Sequence, residues 1–230
     1  MSCLILRRLS LQYLILYRFT VAIFILSGAA CNTPVRDAGV DLPPPSEPNY
    51  AALLEYAQTH PAEADYTALR MHYTRTSAYQ PYGGAELSHN VEMFAALRKN
   101  NYPQAIRIAQ QILAGNYVSL NAHYAAWRAY SELGDTEKAV YHRIFLDNLL
   151  DSIIGSGDGR SMEMAFVTIS TEELKAFLGL LGLQTKNQAL IQDKNKAYDK
   201  LTVRDAISGE EFELYFDISI QLRKAANSSD

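Results

Sequence analysis

Residues 100–113 (NNYPQAIRIAQQIL) and 134–147 (GDTEKAVYHRIFLD) repeat one another with a period of 34 residues, Ala105 falling over Ala139. Each copy has a turn, a small residue, then apolar positions three and four apart, which is the spacing of one helix face. A short turn followed by a helix implies a partner helix before it. The register places those partners at about residues 86–99 and 119–133. Ala105, Ile108, Ala109 and Ile112 form one buried stripe, and Ala139, Leu146 and Leu149 form the other. Two hairpins are fewer than the three usually needed for a continuous core, so other elements must cap the stack. The two segments ahead of the repeat, NYAALLEYAQTHP and EADYTALRMHYTRTSAY, have helical spacing and can serve, with Asp65 as an N-cap and QPYGG as a stop.

The period and its small residue at the crossing resemble the tetratricopeptide repeat. In the second copy Ala126, Trp127 and Tyr130 take that repeat's inward positions. The groove side of the first helices then carries Asn90, Phe94 and Arg98, followed by Asn121, Tyr124 and Arg128. The resemblance implies contact with an extended peptide there, through side-chain amides and arginines. Asn90, Arg98, Asn121, Tyr124 and Arg128 are therefore the candidate ligand-binding residues. The bland alternative fills this groove with the chain's own N-terminal helices or sheet.

Beyond GSGDG (residues 155–159) the periodicity changes from helical to two. AFVTI is a short strand candidate, and Ser170 with Glu173 makes a capping box before LKAFLGLLG. QALIQ, YDKLTVRD and EFELYFDISI alternate, with Phe212, Leu214, Phe216, Ile218 and Ile220 on one face. The expected fold is α+β: tetratricopeptide-like helical hairpins, then a small antiparallel β-meander with a packed helix. Its helical half spans residues 49–153 and its meander half 160–222, in a single domain of residues 49–222 followed by a polar tail, 223–230.

The N-terminus reads as an address. Residues 1–30 hold Arg7, Arg8 and Arg18, no acid, and an apolar run ending in SGAAC, the layout of a signal peptide. That run of twelve residues is shorter than the roughly 20 a spanning helix needs. Residues 28–31, GAAC, resemble a bacterial lipobox, which implies that Cys31 becomes a lipid-bearing first residue. Cys3 falls in the removed segment, so Cys31 is the sole remaining thiol, and lipidation spares it oxidation in an exported compartment. Residues 31–48 hold five of the eight prolines and form an extended tether. After cleavage 18 basic side chains face 25 acidic ones, a balance that argues against nucleic acid and against binding anionic membrane surfaces by charge. Membrane association through the lipid anchor, at the periplasmic face of the outer membrane, is the expected location.

Three stretches together, DYTALRMHYTRTSAYQPYG, SGDGRSMEMAFVTIS and SGEEFELYFDIS, resemble an uncharacterised family of exported bacterial lipoproteins, the domain of unknown function 4919. This resemblance spans roughly residues 49–220. It implies a helical half joined to a small sheet and brings no catalytic residue with it.

Other constellations read as packing. The histidines at 60, 72, 89, 123 and 142 include no pair three or four apart. His89 and His123 are equivalent in the repeat, but equivalent helices lie about 10 Å or more apart, too far to share zinc. His142 and Asp147 diverge round a helix, which removes a triad with Ser152 or Ser156. GSGDGR follows a helix, so it reads as a stop rather than a phosphate loop, and Asp147, Asp151 and Asp158 lack the regular spacing of a calcium loop. Tyr73, Tyr79 and Tyr82 with Arg70 and Arg75 read as a lid over the core or as a binding cluster. No motif calls for a cofactor. The leading reading is a lipid-anchored envelope module that binds a protein or peptide. An envelope enzyme acting on a glycan or peptide through carboxylates such as Glu213 and Asp217, and a passive structural lipoprotein, stand as alternatives.

Overall fold

The computed structural model describes residues 49–226. The signal segment, Cys31, the tether and the last four residues lie outside them. Short polar side chains start the first two helices: Asn49 accepts from Ala52 N–H at 3.0 Å ahead of α1 (Tyr50–Thr59), and Asp65 from Ala68 N–H at 2.9 Å ahead of α2 (Tyr66–Tyr73). Two hairpins follow, α3 (Gly84–Arg98) with α4 (Tyr102–Gly115), and α5 (Leu120–Glu132) with α6 (Thr136–Ile154).

The internal repeat persists down to single hydrogen bonds. Asn100 and Gly134 turn the two hairpins with φ of 56° and 77°, in the region that asparagine and glycine enter at least cost. The next residues, Asn101 and Asp135, cap α4 and α6 with their carboxyl or amide oxygens. Their own amides bond to Ala96 O at 2.9 Å and Tyr130 O at 3.0 Å, again equivalent positions. Ala105 and Ala139 are both buried, Ala105 against Ala96 and Ala129.

The second half contains β1 (Phe166–Val167), α7 (Thr171–Leu180), β2 (Leu183–Asp193), β3 (Lys196–Asp205), β4 (Glu211–Asp217) and α8 (Ser219–Ala226). The chain is α+β, with helical hairpins followed by a meander, and two details correct the sequence reading. β2, β3 and β4 form the antiparallel meander, but β1 pairs parallel to β4 with Phe166 opposite Phe216, so the sheet is mixed in the order β1-β4-β3-β2. The long connection through α7 and two strands returns the chain in the same direction, as parallel pairing requires. The alternation of β4 also stops at Asp217 instead of running to Ile220. Asp217 Oδ1 accepts from Ser219 N–H at 3.0 Å and starts α8, which takes up the front of the expected polar tail.

α7 lies on the sheet through Phe177, whose ring centroid is 5.2 Å from Phe166 and 6.1 Å from Phe216. The same continuous core takes in Leu69 of α2 and Phe145, Leu149 and Ile153 of α6. Helical half and sheet are thereby one packed body, and α7 is fixed against both.

Candidate functional site

α3 turns the stripe Leu87, Asn90, Val91, Phe94 and Arg98 to one side, where α5 adds Asn121 and Tyr124. α7 closes the opposite side with Glu172, Lys175, Ala176, Gly179 and Leu180. Between them lies a cleft of about 600 Å³, within the size range of small-ligand sites. Phe94 and Tyr124 face each other across α3 and α5 at 6.3 Å between ring centroids. Neither α1, α2 nor the strands line it; the helix of the second half, α7, supplies its far wall.

One end of the cleft is polar and acidic. Asn90 Nδ2 donates to Glu172 Oε2 at 3.0 Å, and Lys175 Nζ reaches Glu172 Oε1 at 3.0 Å. The carboxylate fixes which way the amide faces, because only its nitrogen can donate. Asn90 Oδ1 is left buried with no partner among the described residues. Behind it the half-buried Glu86 accepts from Asn116 Nδ2 at 2.8 Å and Ser119 Oγ at 2.7 Å. Burial pushes the Glu86 carboxyl above its usual range, and the nearby Glu172 and Glu173 add to the rise. Arg98 stands at the other end, exposed, with no hydrogen bond or ion pair among the described residues.

Four of the five expected groove residues, Asn90, Arg98, Asn121 and Tyr124, line this cleft, although Asn90 is a buried anchor for Glu172 as much as a free contact. Arg128 does not line it. It sits on the outer surface of α5, bound to Glu132 at 3.2 Å and 5.9 Å from the Trp127 ring, which Arg143 covers more closely at 4.5 Å. Glu172, Lys175, Gly179 and Leu180 were not picked out from the sequence. The signal that existed was Gly179, a glycine inside a helical pattern.

α7 is held by its N-terminus. Ser170 Oγ accepts from Glu173 N–H at 3.1 Å, as the capping box requires. The Glu173 carboxylate reaches back to Ile169 N–H at 2.8 Å, one residue before the cap, because it also takes the Arg70 guanidinium. Arg70, Tyr73 and Tyr79 are buried in the core, so this part of the tyrosine–arginine group is structural, and Tyr82 alone of the three tyrosines is exposed.

The histidines pair across helices and not along one. His123 Nδ1 lies 3.0 Å from His142 Nδ1, and His123 Nε2 lies 2.9 Å from Tyr117 O. A carbonyl can only accept, so His123 carries its proton on Nε2 and His142 donates from Nδ1. Burial lowers the pKa of His142 to about 4 and that of His123 to about 3, with the neighbouring ring lowering His123 further. In the GSGDGR turn the amides of Asp158 and Gly159 both donate to Met164 O, and a Cβ on Gly157 would sit 2.3 Å from that oxygen. Those N–H groups are spent on closing a turn. Among the described residues no three His, Cys, Asp or Glu side chains gather closely enough to hold a metal. Glu213 pairs with Lys200 and Asp217 with Lys196. Four residues apart on one strand, they are about 13 Å apart, beyond the reach of two carboxylates acting on one glycosidic bond.

No curated protein and no solved structure matches the chain. One family model, described as Domain of unknown function (DUF4919), matches residues 45–227 and so takes in every element from α1 to α8, including all three walls of the cleft. With that match over most of its length, the chain belongs to the DUF4919 family.

Proposed function

We propose that the protein is a lipid-anchored component of the bacterial envelope that binds a protein or peptide in the cleft between α3, α5 and α7. The observation that carries this reading is the convergence of Asn90, Phe94, Arg98, Asn121 and Tyr124 on one cleft that no other helix or strand among the described residues lines. Aromatic and arginine side chains beside apolar walls are the composition of binding hot spots. The 34-residue period supports a tetratricopeptide-like scaffold, and an exported address rests on the N-terminal layout and on Cys31. A lipid on Cys31 followed by a proline-rich spacer holds such a cleft clear of the bilayer at the periplasmic face of the outer membrane.

Two measurements test the two parts. Replacing Cys31 by Ala is expected to move the protein from the membrane to the soluble fraction, and failure of the wild type to take up labelled fatty acid removes the anchor. Chemical cross-linking in intact cells is expected to trap an envelope protein with the wild type and lose it with a Asn121→Ala, Tyr124→Ala double variant of matched melting temperature. An identical set of cross-linked proteins for both removes the cleft from the function.

A further inference from the structure

β2 forms an edge of the sheet, paired to β3 on one side and to no described strand on the other. It is eleven residues long, and every residue but Leu183 and Ile191 is exposed, so both of its faces are open. Edge strands are commonly shielded by prolines, charges or bulges. Here the bulge sits near the start, where Lys186 is the extra residue between the Thr185–Val203 and Asn187–Thr202 pairs. From there to the turn runs NQALIQD, residues 187–193, in regular register, without proline and uncharged as far as Asp193. Leu190, at its centre, is 55% exposed.

The turn determines which backbone groups face outward. Asp193 and Lys196 close a two-residue loop, with Lys194 at φ 52°, and so form a hydrogen-bonded pair. Alternation then turns the N–H and C=O groups of Gln192, Leu190 and Gln188 away from β3. Two observed bonds agree. Ile218 N–H donates to Ala197 O at 2.9 Å, so in β3 the groups of Ala197 face away from β2 and those of its neighbours face toward it. Gln188 N–H donates to the side-chain oxygen Asn187 Oδ1 at 3.0 Å, a stand-in for a strand that is not there.

We infer that β2 pairs antiparallel with β2 of a second copy of this chain, Leu190 opposite Leu190 on a two-fold axis, joining two sheets into one. The segment 187–193 has the same character read in either direction. In this register Leu190 meets Leu190, Ala189 meets Ile191, Gln188 meets Gln192, and Asn187 offers its amide to the Asp193 carboxylate. The neighbouring registers set Leu190 against a glutamine, and either Asn187 against Ile191 or Ala189 against Asp193. The outward groups of Gln188, Leu190 and Gln192 then exchange about six backbone hydrogen bonds with the second copy. A foreign extended segment would meet the same backbone groups, but the side-chain match is to the strand itself. So short a contact is small beside the roughly 1,200–2,000 Å² of stable interfaces, and the dimer dissociates on dilution. No strand lines the cleft, so the inference stands apart from the peptide-binding reading.

The test places single cysteines in the full chain carrying Cys3→Ala and Cys31→Ala. Two copies of Leu190→Cys would have Cα atoms about 5.5 Å apart, within disulfide reach, whereas two copies of Gln188→Cys, on the same face, would be about 14 Å apart. Under mild oxidation Leu190→Cys is expected to give a linked dimer about tenfold or more faster than Gln188→Cys, and a mixture of Gln188→Cys with Gln192→Cys to link as readily as Leu190→Cys. Sedimentation velocity of the cysteine-free chain is expected to show a monomer–dimer equilibrium. Leu190→Lys sets two cations against each other at an exposed position and is expected to abolish it with melting unchanged. Equal linking rates for Leu190→Cys and Gln188→Cys overturn the inference, as does a chain that stays monomeric and unlinked at every concentration. Linking of Leu190→Cys to another protein of an envelope extract, with no dimer formed, gives the edge to a foreign strand and also overturns it.

Discussion

Arg70 and Glu173 lie 103 residues apart in the sequence and meet through two parallel hydrogen bonds of 2.8 Å, from Nε and Nη2 to the two carboxylate oxygens. Both are buried. Arg70 also donates to Ser152 Oγ at 2.7 Å and to Val167 O at 3.0 Å. One guanidinium thus joins α2, α6, β1 and the first turn of α7, and with it sets the position of the wall that carries Glu172 and Gly179.

Removing one partner of such a pair leaves the other charge buried and uncompensated, which typically costs about 3–5 kcal/mol. Arg70→Met and Glu173→Gln are each expected to lose that much in urea unfolding. The double variant Arg70→Met, Glu173→Leu is expected to recover most of it, because no charge is then stranded. A single variant within about 1 kcal/mol of wild type would show that water already reaches the pair.

The His123–His142 pair makes stability depend on pH in a definite direction. Both rings are held neutral in the fold, with pKa values below the ordinary 6.5. Between pH 6.5 and the lowered folded values the unfolded chain binds more protons than the folded one, so stability is full above pH 6.5 and falls as pH drops toward 4. At pH 5 each ring accounts for a loss of about 2 kcal/mol relative to pH 7. Urea unfolding at pH 7, 6 and 5 measures it, with His123→Phe, His142→Leu as the reference that cancels the carboxylates. Parallel pH profiles for the two proteins would remove the pair as the cause.

Ala105 and Ala139 occupy equivalent tight crossings, so enlargement of either to Leu is expected to overpack its hairpin and cost about 1–3 kcal/mol. Thermal melting is the readout. Unchanged melting in both variants would mean that the hairpins do not share one packing scheme.

How much of this was legible from the sequence follows from how local each feature is. The two hairpins were readable because their turns and caps, Asn100 with Asn101 and Gly134 with Asp135, act within five residues. Four groove residues were readable for the same reason, since α3 and α5 each present one face in a fixed register. Arg70 was not, because its role depends on a partner 103 residues away. The third wall of the cleft was missed on the same ground: nothing near Glu172 or Gly179 announces that α7 docks beside α3. The end of β4 was misread because the alternation of apolar residues continues past Asp217 while its side chain caps a helix.

Arg128 and Tyr124 are four residues apart on α5, yet they are expected to behave differently when cut back to Ala. Arg128 is exposed and committed to Glu132 on its own helix, away from the residues that line the cleft. Exposed pairs of this kind are worth about 0–1 kcal/mol, so Arg128→Ala should leave both melting and peptide binding close to wild type. Tyr124 lines the cleft, and its ring lies 6.3 Å from Phe94 and 5.8 Å from Trp127, so any chain seated in the cleft rests on it. Loss of a central aromatic contact commonly costs about 2 kcal/mol or more of binding, or roughly thirtyfold in affinity. Titration of the envelope protein trapped by cross-linking against the two single variants, with melting temperatures measured first, separates them. Equal losses for Arg128→Ala and Tyr124→Ala would place the binding surface on the outer side of α5 rather than in the cleft, and would return Arg128 to the site from which its pairing with Glu132 removes it.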